Sequence, residues 1–367
     1  MPNARRGWQP PFCPNPICDS HAATGPWRFK KKGFYTRMRG PRRVQRYICR
    51  SCQRNFSSQT FSTTYWLKQP RFLRPLFHRL LGCSALRQIA REFGLTHSTV
   101  QRQTERLGRH CLLLLQELGP REGPSEPLVL DGFRTFEHSQ YWPFDLNLLV
   151  GASHYVYGFN DAELRRSGTM RPGQQAKRTA LEATCGRPHP HATRLAVEEL
   201  VARVVPAGAT VSIESDEHSA YPQALARLAD RKIEHRATSS KKSRTAHNPL
   251  FPVNLADLLL RHDSANHKRE TIAFSKRRQG ALYRAAIWAV WRNFMKSRSE
   301  NRRDDPPGVV LGLIGSVIWL VIGIVTLIVA LFGAVIAIVG AAGMFALTQP
   351  DHVNIDHLVV NPTGDKG

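Results

Sequence analysis

Acidic residues are scarce in this sequence, and the places where they are missing are informative. The 367 residues hold 28 Asp+Glu against 52 Lys+Arg, a formal net charge of +24. Between Arg28 and Arg54 there is no acid at all, and Lys and Arg recur throughout. So local an excess argues against a chain that is merely basic on average and points to a polyanion partner, most simply nucleic acid. Apolar residues are missing where a secretory leader would need them. The opening MPNARRGWQPPFCPNPIC has no hydrophobic core, which argues against export. Cysteine is sparse as well, seven in number. An odd, small set argues against a disulfide scaffold and suits a reducing cytoplasm, where a DNA-binding chain would sit with the nucleoid.

Charge is absent from 308–348, GVVLGLIGSVIWLVIGIVTLIVALFGAVIAIVGAAGMFALT. The run is about twice the length that one membrane span requires. One tilted helix or a two-helix hairpin turning near Gly333 is expected. KSRSENRR ahead of it would hold the preceding domains in the cytoplasm, tethered to the inner membrane.

What is present begins with two cysteine pairs, Cys13 and Cys18, then Cys49 and Cys52. Paired thiolates on two tight turns can surround one tetrahedral zinc ion, replacing a core that a short segment could hardly build. A zinc ribbon over residues 8–60 is expected. Trp27, Phe29, Phe34, Tyr35 and Tyr47 are interleaved with its basic run, from which Arg28, Lys30, Arg42 and Arg43 are candidate DNA contacts. The aromatics suit either a nucleic-acid surface or the ribbon's own small core.

Residues 70–118 contain SALRQIAREFGLTHSTVQRQTERLG, from Ser84 to Gly108. Leu86, Ile89, Ala90 and Phe93 recur at helical spacing. Gly94 can end that helix in a left-handed turn, and Thr96 or Ser98 can cap a second helix carrying Val100, Thr104 and Leu107. This is the spacing of a helix-turn-helix, whose second helix enters the DNA major groove. His97, Thr99 and Arg102 are the main candidate contacts, with Ser98, Gln101 and Gln103 beside them. A helical hairpin used only for packing is the alternative.

Past a Gly/Pro linker, residues 126–300 change character. PLVLDGFRTFE (127–137) reads as a buried strand with Asp131 at its middle. YWPFDLNLLVGASHYVYGFN (141–160) reads as two more strands, 164–191 as a loop or insertion, 191–204 as an amphipathic helix, and 209–216 as a strand ending on Asp216. A further helix and a short strand at 232–237 complete the order of a ribonuclease H-like α/β domain. A carboxylate in mid-strand costs several kcal/mol unless paired or metal-bound, so Asp131 and Asp216 are candidate ligands of divalent metal. Asp145 and Asp161 are read as solvent-facing hairpin positions. The expected fold class is therefore α+β and multidomain: zinc ribbon, helix-turn-helix, ribonuclease H-like domain and C-terminal transmembrane helices.

The order of these parts resembles the insertion-sequence-one family of transposases. A late segment strengthens the resemblance. Relatives carry an acid, an Asn three residues on, then Leu-Arg, an Ala four residues after that Arg, a basic residue, Thr and Phe-Ser-Lys. This chain has Leu260-Arg261, Ala265, Arg269, Thr271 and Phe274-Ser275-Lys276 in register. The resemblance covers about residues 10–313. It implies a nuclease and strand transferase acting as a homo-oligomer on double-stranded DNA, at the element's ends and at its target. Three acids would hold two Mg²⁺ ions for in-line displacement at phosphate.

In that register the relatives' acid falls on Asn254 and their Asn on Asp257, so the pair is exchanged. Residues three apart share a helix face, so Asp257 reaches nearly the same place, and Arg261 one turn later would orient it or contact phosphate. Glu270 is the competing third acid. On an unbroken helix it lies roughly 160° around from 254 and about 24 Å along the axis; a break near HDSAN would remove that objection. Two other readings remain. One is a non-catalytic DNA-binding regulator descended from a transposase, the other a membrane-anchored DNA-binding sensor.

Overall fold

The computed structural model describes residues 9–21, 26–37, 43–65, 67–268, 271–299 and 304–314. They fall into two compact units split after Pro75.

The first unit is a three-stranded antiparallel sheet of β1 (Phe29–Thr36), β2 (Arg43–Cys49) and β3 (Asn55–Ser57), in that order. Its core is small and built around sulfur: Cys13, Cys18 and Cys49 with Tyr47, Phe56 and Phe61, flanked by Phe12, Trp27, Phe29 and Cys52. The Tyr47 and Phe56 rings stack across the strands at 5.4 Å. Trp27, Phe29 and Tyr47 thus belong to the core, whereas Phe34 and Tyr35 stay exposed.

The second unit opens within α1 (Leu73–Leu81) and continues with α2 (Leu86–Phe93) and α3 (His97–Leu118). Gly94 ends α2 at φ +59, the left-handed turn that lacks a Cβ penalty. Thr96 caps α3, its side chain accepting the Thr99 amide. Then come β4 (Leu128–Phe136), β5 (Pro143–Gly151), β6 (Val156–Glu163), α4 (Pro172–Cys185), α5 (Ala192–Val204), β7 (Thr210–Ser215), α6 (Ala220–Leu225), β8 (Lys232–Ala237), α7 (Phe251–Asp263) and α8 (Arg278–Phe294).

The five strands form one mixed sheet of order β6-β5-β4-β7-β8. β4, β5 and β6 run antiparallel; β7 is parallel to β4, and β8 to β7. One face buries Leu128, Leu130, Leu149 and Ile213 against Val197, Leu200 and Val201 of α5 and Tyr221 and Ala224 of α6. On the other face α7 packs on β4 and β5, and α8 on β6. α8 is buried nearly all round and also meets α3. There Gly108 lies so close that a Cβ would stand 2.3 Å from the Tyr283 Cβ. Arg284 donates to the Leu80 and Ser84 carbonyls, and Trp288 to the Asp263 carboxylate at 3.0 Å.

The expected fold class needs correction at its C-terminal end. The chain is α+β with two sheets, and among the described residues no helix is long and apolar enough to cross a membrane. The described start of the apolar run is a four-residue helix, α9 (Pro307–Val310), with Pro307 and Gly308 buried. Gly308 abuts Phe294, where a Cβ would meet the ring at 2.7 Å. Close packing on α8 makes this segment part of the folded unit, which hydropathy alone does not distinguish from the start of a span. The rest of 308–348 lies outside the described residues, and the transmembrane helices are withdrawn from the fold class.

Two smaller expectations also change. Residues 164–191 are not simply a loop: α4 crosses them, with Glu182 bonded to Arg165 and Arg187 at 2.8 Å each. Asp145 is buried, not solvent-facing, and pairs with Arg134 at 3.2 Å.

Candidate functional site

Cys13, Cys18, Cys49 and Cys52 bring their sulfurs within 4.8 Å of one another. Cys13 and Cys52 are 3.6 Å apart, and Cys18 and Cys49 3.8 Å. Four sulfurs at about 2.3 Å from one tetrahedral ion would be spaced about 3.8 Å, and a disulfide would need about 2.05 Å. The second pair sits on a tight turn in which Gln53, at φ +59, donates to the Cys49 carbonyl at 3.1 Å. The Arg54 backbone amide helps bring the Cys52 thiol down to about 6, while burial pushes Cys13 up. The thiolate is the metal-binding form, and the four residues fit zinc.

Arg28 and Lys30 are exposed. Arg43 is exposed too, its guanidinium 4.0 Å over the Phe34 ring. Arg42 lies outside the described residues. On α3, His97 and Arg102 are exposed and Thr99 is half-buried against its cap. Gln103 is buried, so it is not a groove-facing residue.

The acids come together where the β4–β7 pairing ends, partway along β4. The last β4–β7 pair is Leu130 with Ser215, and Asp131 and Asp216 are the next residues along. The Asp131 carboxyl is pushed up to about 7 by burial, then by Asp216, with Asp257 adding to the rise. The Gly132 amide, donating at 2.7 Å, and Arg244 oppose the shift. Asp257 comes from α7, where Arg261 Nε donates to its Oδ1 at 2.7 Å. The Arg261 guanidinium lies 4.3 Å over the ring of Phe133, two residues beyond Asp131 on the same face of β4. Asn254, one turn before Asp257, is half-buried.

α7 stops at Asp263, so the helical rotation that set Glu270 apart from the site does not apply. Glu270 itself lies outside the described residues. The three aspartates are more widely spaced than the cysteines. Among the described residues, only the cysteines form a group of three or more metal-capable side chains with ligand atoms within 4.8 Å of one another.

Three neighbours escaped the sequence reading. Tyr221 is buried, and its phenol is pushed up by burial and then by Asp131 and Asp216. Asn147 is fully buried with its Oδ1 unpartnered. Both crowd Gly132: a Cβ there would lie 2.8 Å from Asn147 Oδ1 and 3.4 Å from Tyr221 Oη. The third is exposed Arg244. The available signal was Gly132 itself, a missing side chain beside a mid-strand acid.

No protein-family model and no curated protein matches the chain. Among solved structures it is similar to a chain of the simian T-cell lymphotropic virus intasome, determined by electron cryomicroscopy in complex with the PP2A regulatory subunit B56 gamma. The TM-score is 0.24 at 13% identity, covering 64% of this chain and 71% of that chain. A likeness that weak carries no argument about fold or function.

Proposed function

We propose that this chain is a DNA nuclease and strand transferase of the insertion-element transposase kind, with Asp131, Asp216 and Asp257 as its acidic site. The observation that carries the reading is Asp131: a carboxyl in mid-sheet, lifted to about 7 by burial and two like charges. Such a cluster is unfavourable until cations enter it. Its donors are all oxygen, which fits Mg²⁺. Two such ions would supply an activated oxygen nucleophile and charge stabilisation at phosphate. They also stand roughly 4 Å apart, which suits carboxylates spread more widely than a one-metal cluster.

The chain's own residues do the rest in this reading. Asp131 and Asp216 enter from adjacent parallel strands, and Asp257 is aimed by Arg261. Arg244 brings a positive charge near Asp131 for the phosphate. The exposed part of α3 and the basic ribbon bind the duplex, and zinc holds the ribbon together.

The test is Mg²⁺-dependent nicking of a labelled duplex carrying the DNA that flanks the coding sequence. Asp131→Ala and Asp216→Ala should each abolish the nick. Cleavage that survives both changes would end the proposal. A second reading, a DNA-binding regulator without catalysis, is favoured by Asn254 standing where relatives carry an acid. Specific binding by the wild-type chain with no cleavage at any divalent-ion concentration would select it.

A further inference from the structure

The ribbon has a second feature on the face of its sheet turned away from the cysteines. Tyr47 and Phe56 point into the sulfur core. Their strand neighbours Arg46 and Ser57, paired with each other across β2 and β3, therefore point the other way. Tyr35 pairs with Val44, two residues before Arg46, and joins that outer face. Together with Arg37, Asn55 and Tyr65 these residues line an open cleft of about 400 Å³.

The cleft combines two chemistries. Tyr35 and Tyr65 are large rings left more than a third exposed. Arg37 is held in the wall, donating to Gln59 Oε1 at 2.5 Å and to the Leu67 carbonyl. Arg46 stands in a segment of the chain poor in negative charge: Asp19 is the only acid in the first 75 residues. Positive charge alone would suit any phosphate backbone. Aromatic walls beside it add nothing for a duplex, whose bases are stacked inside, but they suit the face of an unpaired base.

We infer that this cleft binds an unpaired nucleotide within a single-stranded stretch of nucleic acid, its base stacked on Tyr35 and its phosphate on Arg46 and Arg37. The inference rests on the nucleic-acid part of the proposed function and not on its chemistry at phosphate. A nuclease that opens strands would find such a segment at the frayed or broken end it works on.

The test uses the full, zinc-loaded chain without added divalent cation, so that an inactive acidic site leaves the result unchanged. Fluorescence anisotropy would follow binding of labelled oligo(dT), oligo(rU) and a duplex of the same length. The double variant Tyr35→Ala/Arg46→Ala should bind oligo(dT) about tenfold more weakly or worse, with a clearly smaller loss on the duplex, for which Arg46 is one basic residue of the ribbon among many. Comparable loss on oligo(rU) would make the ligand any unpaired nucleotide; loss confined to oligo(dT) would make it DNA. Zinc content, measured alongside, reports whether the variant keeps its fold. If it does not, the exposed position 35 decides alone: Tyr35→Phe should bind as the wild type and Tyr35→Leu should not. Equal losses on duplex and single strand, or indistinguishable Phe and Leu variants, would overturn the inference.

Discussion

Replacing Asp131 with Asn should stabilise the protein, and chiefly at neutral to alkaline pH. The Asp131 carboxyl rises from 3.8 to about 7 on folding. An acid whose folded-state pKa exceeds its unfolded one takes up a proton on folding between the two values. Its contribution to stability is therefore most favourable below 3.8, falls as pH rises from about 4 to about 7, and stays low above that. The shift multiplied by 1.36 kcal/mol per unit sets a ceiling of about 4 kcal/mol. Water reaches part of the residue, so about half of that is expected. Asn preserves the shape and can still accept from the Gly132 amide, but it cannot ionise. Calorimetry of the full chain should show a gain of about 2 kcal/mol at pH 8, a rise of roughly 4–8 °C for a unit of this size. At pH 4.5 most of the gain should be gone. Adding Mg²⁺ at pH 8 should raise the wild-type melting temperature more than that of Asp131→Asn, because binding to the folded state alone stabilises it. Equal gains at both pH values, or a loss at pH 8, would refute the electrostatic account of the site.

Two further changes probe the frame around that acid and the ribbon. Gly132→Ala would drive a Cβ to 2.8 Å from Asn147 Oδ1, and Asn147 cannot readily yield because it is fully buried and donates to Asn160 at 3.0 Å. A loss of about 1–3 kcal/mol by urea titration is expected, and an unchanged midpoint would contradict the crowding. Chelation should release one zinc per chain and remove the ribbon's tertiary signal from Trp27, which packs beside the cysteines. The helical circular dichroism of the second unit should persist, since that unit has its own core. Zinc well below one per chain would count against the four-sulfur site.

Features that depend on local physics were legible in the sequence. The two cysteine pairs needed only their spacing, the α2–α3 turn only Gly94 and Thr96, and β4 only its apolar run. Contacts that depend on register were not legible. Asp145 looked solvent-facing because it falls at a hairpin position, yet it is buried and Arg134 is its ladder partner across β4 and β5. Tyr221 lies beside Gly132 and close enough to Asp131 and Asp216 to feel their charge, and its distance along the chain hides this. α4 escaped because none of its residues is fully buried, so no apolar stripe marked it. The apolar tail misled in the opposite direction: its first turn is packed on Phe294, and a hydropathy window cannot tell protein from lipid as the apolar surroundings.

The choice of third acid now turns on different grounds. A continuous helix would have carried Glu270 to the far side, but α7 ends at Asp263, whose carboxylate is fixed by Trp288. Helix geometry therefore no longer separates the candidates, and the support for Asp257 is electrostatic. Asp257 raises the pKa of Asp131, which requires its charge to be near, and Arg261 holds it in place at 2.7 Å. Asp257→Asn should therefore do two things at once. Nicking should fall about a hundredfold or more, beyond the range typical of residues that merely support metal ligands. The pH at which Asp131 loses its proton should also move down, because one of its two like charges has gone; the midpoint of melting temperature against pH reads this without any catalysis. Glu270→Gln should leave both measurements in place. Loss of nicking with Glu270→Gln and retention with Asp257→Asn would transfer the role to Glu270, and an unmoved midpoint in Asp257→Asn would show that the α7 carboxylate does not act on Asp131.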